Sequence, residues 1–225
     1  MRLAVFGGAG LAGSATVQVA LERGHQVRAL VRSSTTPPRI LAGAEVVRGD
    51  ALDPDAVART VAGAEAVIST LGGFRGPGSI DKGTGNIVAA MREASLDRLV
   101  ILQGFHIEFP GDPRNPGKLL VKAFLAARCR PLLRHTAGLG ELLRSIDDLS
   151  WTLLRIPRIT PGRESGRAQL GAFALGPRSC VQLGDVAAHL VGLVERPAWV
   201  RQAPMLQTTT SPLSPDQTAR VAADT

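Results

Sequence analysis

The sequence predicts an α/β fold of Rossmann type, a doubly wound parallel sheet with helices on both faces and a small C-terminal substrate-side region. Three observations predict it. The first residues, MRLAVFGGAGLAG, carry a short apolar run into a glycine turn and then into a helical pattern. Short apolar strands alternate with helices along the chain, which calls for a parallel sheet covered on both faces. Glycines also stand just past several strands, at Gly7, Gly49 and Gly72, on the rim where open α/β sheets hold ligands.

Taken in order, Leu3 to Phe6 reads as a buried strand. The glycines after it allow a tight turn and close backbone approach, and a helix from Leu11 to about Arg23 follows, with Ala15, Val19 and Ala20 inward. The free N–H groups and dipole of that helix favour an anion, and a dinucleotide pyrophosphate is the usual occupant. Gln26 to Val31 is the second strand, ending in Arg32-Ser33-Ser34. A carboxylate here would bind the ribose hydroxyls of NAD, whereas arginine suits the 2′-phosphate of NADP. NADP(H) is therefore expected over NAD(H).

Glu45 to Val47 is the third strand, followed by Gly49-Asp50-Ala51, where Asp50 can accept a bond from an adenine amino group. Asp53-Pro54 reads as an N-cap with proline at the first helical position, opening a helix to about Ala62. Ala66 to Thr70 is the fourth strand, and Leu71-Gly72-Gly73 lets backbone lie along the cofactor ribose. Phe74 to Gly78 reads as a flexible lip of the substrate pocket. Asp81 to Ala94 is a helix and Leu96 to Leu102 contains the fifth strand, with Gln103-Gly104-Phe105-His106 just beyond it, where chemistry occurs in this architecture.

Phe109 to Gly117 reads as a loop. Leu119 to Arg128 and Leu139 to Ile146 are helical patches separated by Pro131 and a region around Arg134-His135. Trp151 to Arg155 is the sixth strand, Gly166 to Ala174 an outlying strand, Asp185 to Glu195 a helix capped by Asp185, and Met205 to Thr208 a last strand. With no repeat and no linker, residues 1–210 are expected to form one domain, and the apolar-poor stretch 211–225 a disordered tail. The expected strand order is 3-2-1-4-5-6, with the cofactor crossing between the first and fourth strands.

The net charge is +7, yet three of the 26 basic residues are lysines and the rest are arginines spread along the chain. Nucleic-acid binding is not expected, because no clustered basic stripe with stacking aromatics is present. Cys129 and Cys180 show no metal or disulfide spacing, so no metal is expected. No apolar run is long enough to span a bilayer and the N-terminus reads as a core strand, giving the expectation of a cytoplasmic protein, monomer or homodimer, that meets a small-molecule substrate and no membrane.

Several stretches together resemble the atypical short-chain dehydrogenase/reductase superfamily, and within it the NAD(P)H-binding group of biliverdin-IXβ/flavin reductases and NmrA-like proteins. They are Gly7 to Gly13, Leu30-Val31-Arg32, Gly49-Asp50, Asp81 to Ala90, Trp151 to Pro157 and Gly184 to Ala187. The resemblance covers residues 1 to about 208. It implies that Gly7, Gly10, Leu11, Ala12 and Gly13 meet the pyrophosphate and Arg32 the 2′-phosphate. It likewise implies Asp50 and Ala51 at adenine, Leu71 and Gly72 at the ribose, and Gln103, Gly104 and Pro157 beside the nicotinamide.

One departure matters for chemistry. Most members move the substrate proton through a tyrosine in Tyr-x-x-x-Lys, helped by a serine after the fifth strand; this chain has no tyrosine, and Gly104 stands at the serine position. Hydride transfer needs mainly that the two rings be positioned, and a conjugated acceptor takes its proton from water. His106 and His135 are the candidate proton donors, and Phe74, Phe105 and Arg158 the candidate substrate contacts. Three functions follow: an NADP(H)-dependent oxidoreductase acting on a flavin, quinone or enone; an NmrA-like NADP-binding regulatory protein; or a non-redox isomerase or cyclase.

Overall fold

The computed structural model describes residues 1–36, 39–72, 77–113 and 116–208. Most of the expected lip, with Phe74, and the expected disordered tail lie outside the described residues. Among the described residues there are ten strands: β1 (Arg2–Phe6), β2 (Gln26–Val31), β3 (Glu45–Arg48), β4 (Ala66–Ser69), β5 (Arg98–Gly104), β6 (Ser150–Ile156), β7 (Arg158–Thr160), β8 (Ala168–Gly171), β9 (Cys180–Gln182) and β10 (Met205–Thr208). The same residues form six α-helices: α1 (Leu11–Glu22), α2 (Pro54–Val61), α3 (Gly78–Glu93), α4 (Pro116–Arg128), α5 (Arg130–Arg144) and α6 (Leu183–Glu195).

The main sheet has the order β3-β2-β1-β4-β5-β6-β10-β8. Its first six strands are the expected 3-2-1-4-5-6, all parallel. β10 joins β6 in parallel, and β8 closes the edge antiparallel to β10. β7 and β9 form a separate parallel pair. The two-sided burial that a parallel sheet requires is met by two apolar cores. One lies under α2, α3 and α5 and includes Phe6, Ile87, Leu139 and Leu153; the other lies under α1 and α6 and includes Val5, Val17, Ile68 and Leu190. Each such buried side chain contributes roughly 1.5–3 kcal/mol.

Local chemistry sets the helix starts. Asp53 caps α2 by accepting from the Asp55 N–H at 3.1 Å, with Pro54 opening the helix. Three expectations are corrected. Two helices do break just before Pro131, but the region around Arg134-His135 does not separate them: the second helix starts at Arg130, and Pro131 sits in its first turn, where its missing N–H would have no partner. Asp185 is not the cap of α6, which begins after Gln182. It is fully buried inside the first turn and accepts two 2.7 Å bonds, from the Ser165 N–H and Oγ, pinning the 163–166 loop. On α1 the buried positions are Gly13, Thr16, Val17 and Ala20, so of the expected inward set only Ala20 is fully covered.

Candidate functional site

The turn after β1 is shaped by its glycines. Gly7 has φ +79°, and its carbonyl accepts from the Gly10 N–H at 2.9 Å. A Cβ on Gly13 would stand 2.1 Å from the Gly7 oxygen, so only glycine lets the first turn of α1 close over the loop. Gly10 caps α1 with no side-chain hydrogen bond, and no acidic residue lies in its first turn. The helix therefore presents unopposed N–H groups and the positive end of its dipole, the arrangement that holds a pyrophosphate.

A cavity of about 220 Å³ opens beside this turn at the C-terminal ends of β1, β2, β3 and β4. Of the expected cofactor residues it gathers Gly7, Gly10, Arg32, Asp50, Ala51, Leu71 and Gly72. Leu11, Ala12 and Gly13 flank it in the first turn of α1, and Leu11 is 65% exposed there. Among the described residues Arg32 and Asp50 are its only charged lining residues. Asp50 Oδ1 accepts from the Leu52 N–H at 2.9 Å, which fixes the carboxylate against the loop after β3. Gly49 passes so close to α2 that a Cβ would meet the Ala56 methyl at 2.3 Å.

Sequence reasoning missed four contributors here. Thr70 and Ser79 line the cavity, and so does Thr35. The Thr70 hydroxyl donates to the Phe6 carbonyl at 2.9 Å, locking β4 to β1 at the switch point. Arg48, at the end of β3, donates to the carbonyls of Arg32 and Thr35 and so props the loop that carries Arg32. A strand-end arginine next to the expected 2′-phosphate position was the available signal for Arg48.

Gln103, Gly104 and Pro157 lie farther along the rim, outside that cavity. Gln103 is 7% exposed and its Nε2 donates to the Leu71 carbonyl at 2.7 Å, tying β5 to the loop after β4. Gly104 and His106 are coupled: a Cβ on Gly104 would lie 2.6 Å from His106 Nδ1. The imidazole fills the space that a side chain at position 104 would occupy. Burial, reinforced by Lys118 and Lys122, pushes His106 down to about 4, so the ring is neutral near pH 7. Its Nε2 is buried with no hydrogen-bond partner.

His135 stands in the second turn of α5, which runs antiparallel to the strands and so begins near the rim. Its Nδ1 lies 2.8 Å from Asp81 Oδ1 of α3. Gly138 makes the room for this pair, since a Cβ there would be 2.8 Å from Asp81 Oδ2. A Cβ on Gly78 would stand 3.8 Å from His135 Cε1, which places the imidazole one residue away from the cavity-lining Ser79. Phe105 turns inward against Leu175 and Met205 and is 7% exposed. Arg158 is exposed on β7.

Among the described residues no helix is long and apolar enough to cross a membrane, and no group of His, Cys, Asp and Glu could hold a metal ion. Three comparisons bear on identity. Over 107 residues the chain is 38% identical to a 2-alkyl-3-oxoalkanoate reductase of Stenotrophomonas maltophilia (strain K279a). That stretch is 44% of this chain and 32% of the relative, so the chain spans about a third of that protein's length. Among solved structures, ChuY, an anaerobilin reductase from Escherichia coli O157:H7, is 22% identical with a TM-score of 0.73, covering 95% of this chain and 100% of that one. A short-chain dehydrogenase/reductase from Veillonella parvula DSM 2008, solved with NADP, is 17% identical with a TM-score of 0.71, covering 95% and 99%. At these identities the solved structures establish the Rossmann-like fold. The sequence matches the NAD(P)H-binding family over residues 7–197, and the chain belongs to that family.

Proposed function

We propose that the chain is an NADP(H)-dependent reductase of a small conjugated acceptor such as a flavin, quinone or enone. The observation that carries the reading is the nucleotide cavity, where the glycine turn, Arg32 and Asp50 converge; the imidazole of His106, set against Gly104 and lining a separate cavity of about 230 Å³, is the candidate hydrogen-bond donor. NADPH, when bound, supplies a hydride. Gly7, Gly10 and the first turn of α1 would hold its pyrophosphate, Arg32 its 2′-phosphate and Leu71 and Gly72 its ribose. Gln103 fixes the loop after β4, and thereby where the ribose can lie.

A neutral imidazole donates a hydrogen bond without giving up its proton. It stabilises an oxygen whose charge is developing, as an oxyanion donor does. A conjugated acceptor spreads that charge over its ring system and takes the proton from water, which suits a site without tyrosine. Asp81 accepts from His135 Nδ1–H and leaves Nε2 as the atom able to exchange a proton, so His135 is the second candidate acid. The name of the Stenotrophomonas relative supports reduction as the reaction class.

NADPH consumption should be followed with flavin, quinone, enone and 3-oxo acid acceptors. Steady turnover with a conjugated acceptor is the expected result. Tight NADPH binding with no acceptor consumed would end the reductase reading and leave NADP-dependent regulation.

A further inference from the structure

A second cavity, of about 500 Å³, lies between the loop after β5, the C-terminal end of α5, β6 and the 199–204 segment. It shares no lining residue with the nucleotide cavity. Its floor is aromatic: Trp151 and Phe109 meet at 6.0 Å between centroids, tilted by 51°. Phe109 is flanked by two guanidiniums, Arg144 at 5.6 Å and Arg155 at 5.5 Å from its centroid.

Charge on the walls is unequal. Arg144, Arg155 and Arg201 face two carboxylates, Asp112 and Asp147. Asp112 is already saturated by Arg155 and by Lys118 at 2.9 Å. Arg144 makes no ion pair among the described residues, and Arg201 Nη1 donates only to the Asp147 backbone carbonyl, at 2.9 Å. Positive charge is therefore left over at the mouth of an aromatic cavity.

The backbone supplies an independent observation. Three non-glycine described residues have positive φ, and two of them, Trp199 at +55° and Arg201 at +54°, line this cavity. Bulky residues hold such conformations only where the surroundings over-determine them, and such positions concentrate at binding sites. Here the surroundings are visible. The Thr152 hydroxyl donates to the carbonyls of Ala198 and Trp199 at 3.1 and 3.0 Å, and the Arg201 N–H donates to the Trp151 carbonyl at 2.6 Å.

We propose that this cavity binds a planar aromatic anion, set against the exposed part of Phe109 with its acidic group at Arg144 and Arg201. The site is separate from the dinucleotide site and its argument does not depend on the reductase reading. Contact with the edge of an aromatic ring and pairing with guanidinium groups are the interactions such a ligand would use.

The chain carries its own reporter, because its only tryptophans, Trp151 and Trp199, both border the cavity and tyrosine is absent. Full-length protein should be titrated with 8-anilinonaphthalene-1-sulfonate while tryptophan emission is followed. Saturable quenching is expected, undisturbed by NADP⁺. N-phenyl-1-naphthylamine, the same rings without the sulfonate, should bind at least tenfold more weakly. Arg144→Glu should weaken the sulfonate at least tenfold; Arg201→Glu takes its place if the first variant's circular dichroism departs from the parent. Displacement by NADP⁺, equal binding of the neutral probe, or an unchanged affinity in the folded variant would each overturn the proposal.

Discussion

Two loops leave the sheet at the same rim and are held by opposite means. The loop after β1 is four residues long and is kept in shape by its own backbone: a positive φ at Gly7, a Gly10 to Gly7 hydrogen bond, and a Gly13 that lets the helix close in. The loop after β5 is longer and is organised by a buried ionic hub. Arg155, 2% exposed on β6, donates to both oxygens of Asp112 at 2.6 Å, to the Ile107 carbonyl at 2.8 Å and to the Ala203 carbonyl. Asp112 also accepts from Lys118 and from the Phe109 N–H. The first loop leaves its N–H groups free for a ligand; the second uses its polar groups internally and presents an aromatic surface instead.

Breaking the hub should give the largest effect. Burial alone would raise the Asp112 carboxyl, but the bonds from Arg155 and Lys118 outweigh it and hold it below the ordinary carboxylate range. Asp112→Ala leaves a buried guanidinium without its partner, and urea unfolding should show a loss of about 3–5 kcal/mol. The ion pair's contribution is present above the ordinary carboxylate range and is lost as the pH falls through the lowered value. A loss below ~1 kcal/mol would mean that the loop is held otherwise and would remove the contrast between the two loops.

The same contrast explains what could be read in advance. The glycine loop and its strand and helix are neighbours in sequence, so residue types at fixed spacing reveal them, and the strand order follows from alternation and handedness. Arg155 and Asp112 are far apart in sequence, and nothing in Leu153-Leu154-Arg155 says that the arginine points inward. The Asp81–His135 pair joins two helices in the same way. Asp185 looked like a cap because its position suits one, and the Ser165 partner that claims it lies twenty residues away. His106 was legible as a candidate by its place after β5. Its neutrality was not, since that depends on burial and on Lys118 and Lys122.

His106 supplies the second test. Its folded value, about 4, lies below the ordinary 6.5, so between those limits the unfolded chain takes up a proton that the folded protein refuses. Stability attributable to this group is complete above about pH 6.5, falls as the pH drops through the window, and levels off below about 4. Between about pH 7.5 and pH 5 the parent should lose ~2 kcal/mol more than His106→Gln in urea unfolding. Equal losses in the two proteins would show that the imidazole is solvated and charged like a free one, and would remove its role as a neutral donor.

The smallest expected effect belongs to the sequence-local loop's neighbour, Arg32, because it is exposed and its loop is propped by Arg48 whether or not it is present. Arg32→Ala should leave stability within about 0.5 kcal/mol of the parent. Its effect should appear only in cofactor choice. Loss of one charge-assisted contact to the 2′-phosphate weakens NADPH about tenfold, ~1.4 kcal/mol, while NADH, which lacks that phosphate, changes less than about twofold. The NADPH effect should shrink as salt is raised, since the guanidinium acts in water. An equal change for both nucleotides would mean that Arg32 shapes the adenosine pocket without reading the phosphate, and the preference for NADP(H) would have to be sought in Ser33 and Ser34.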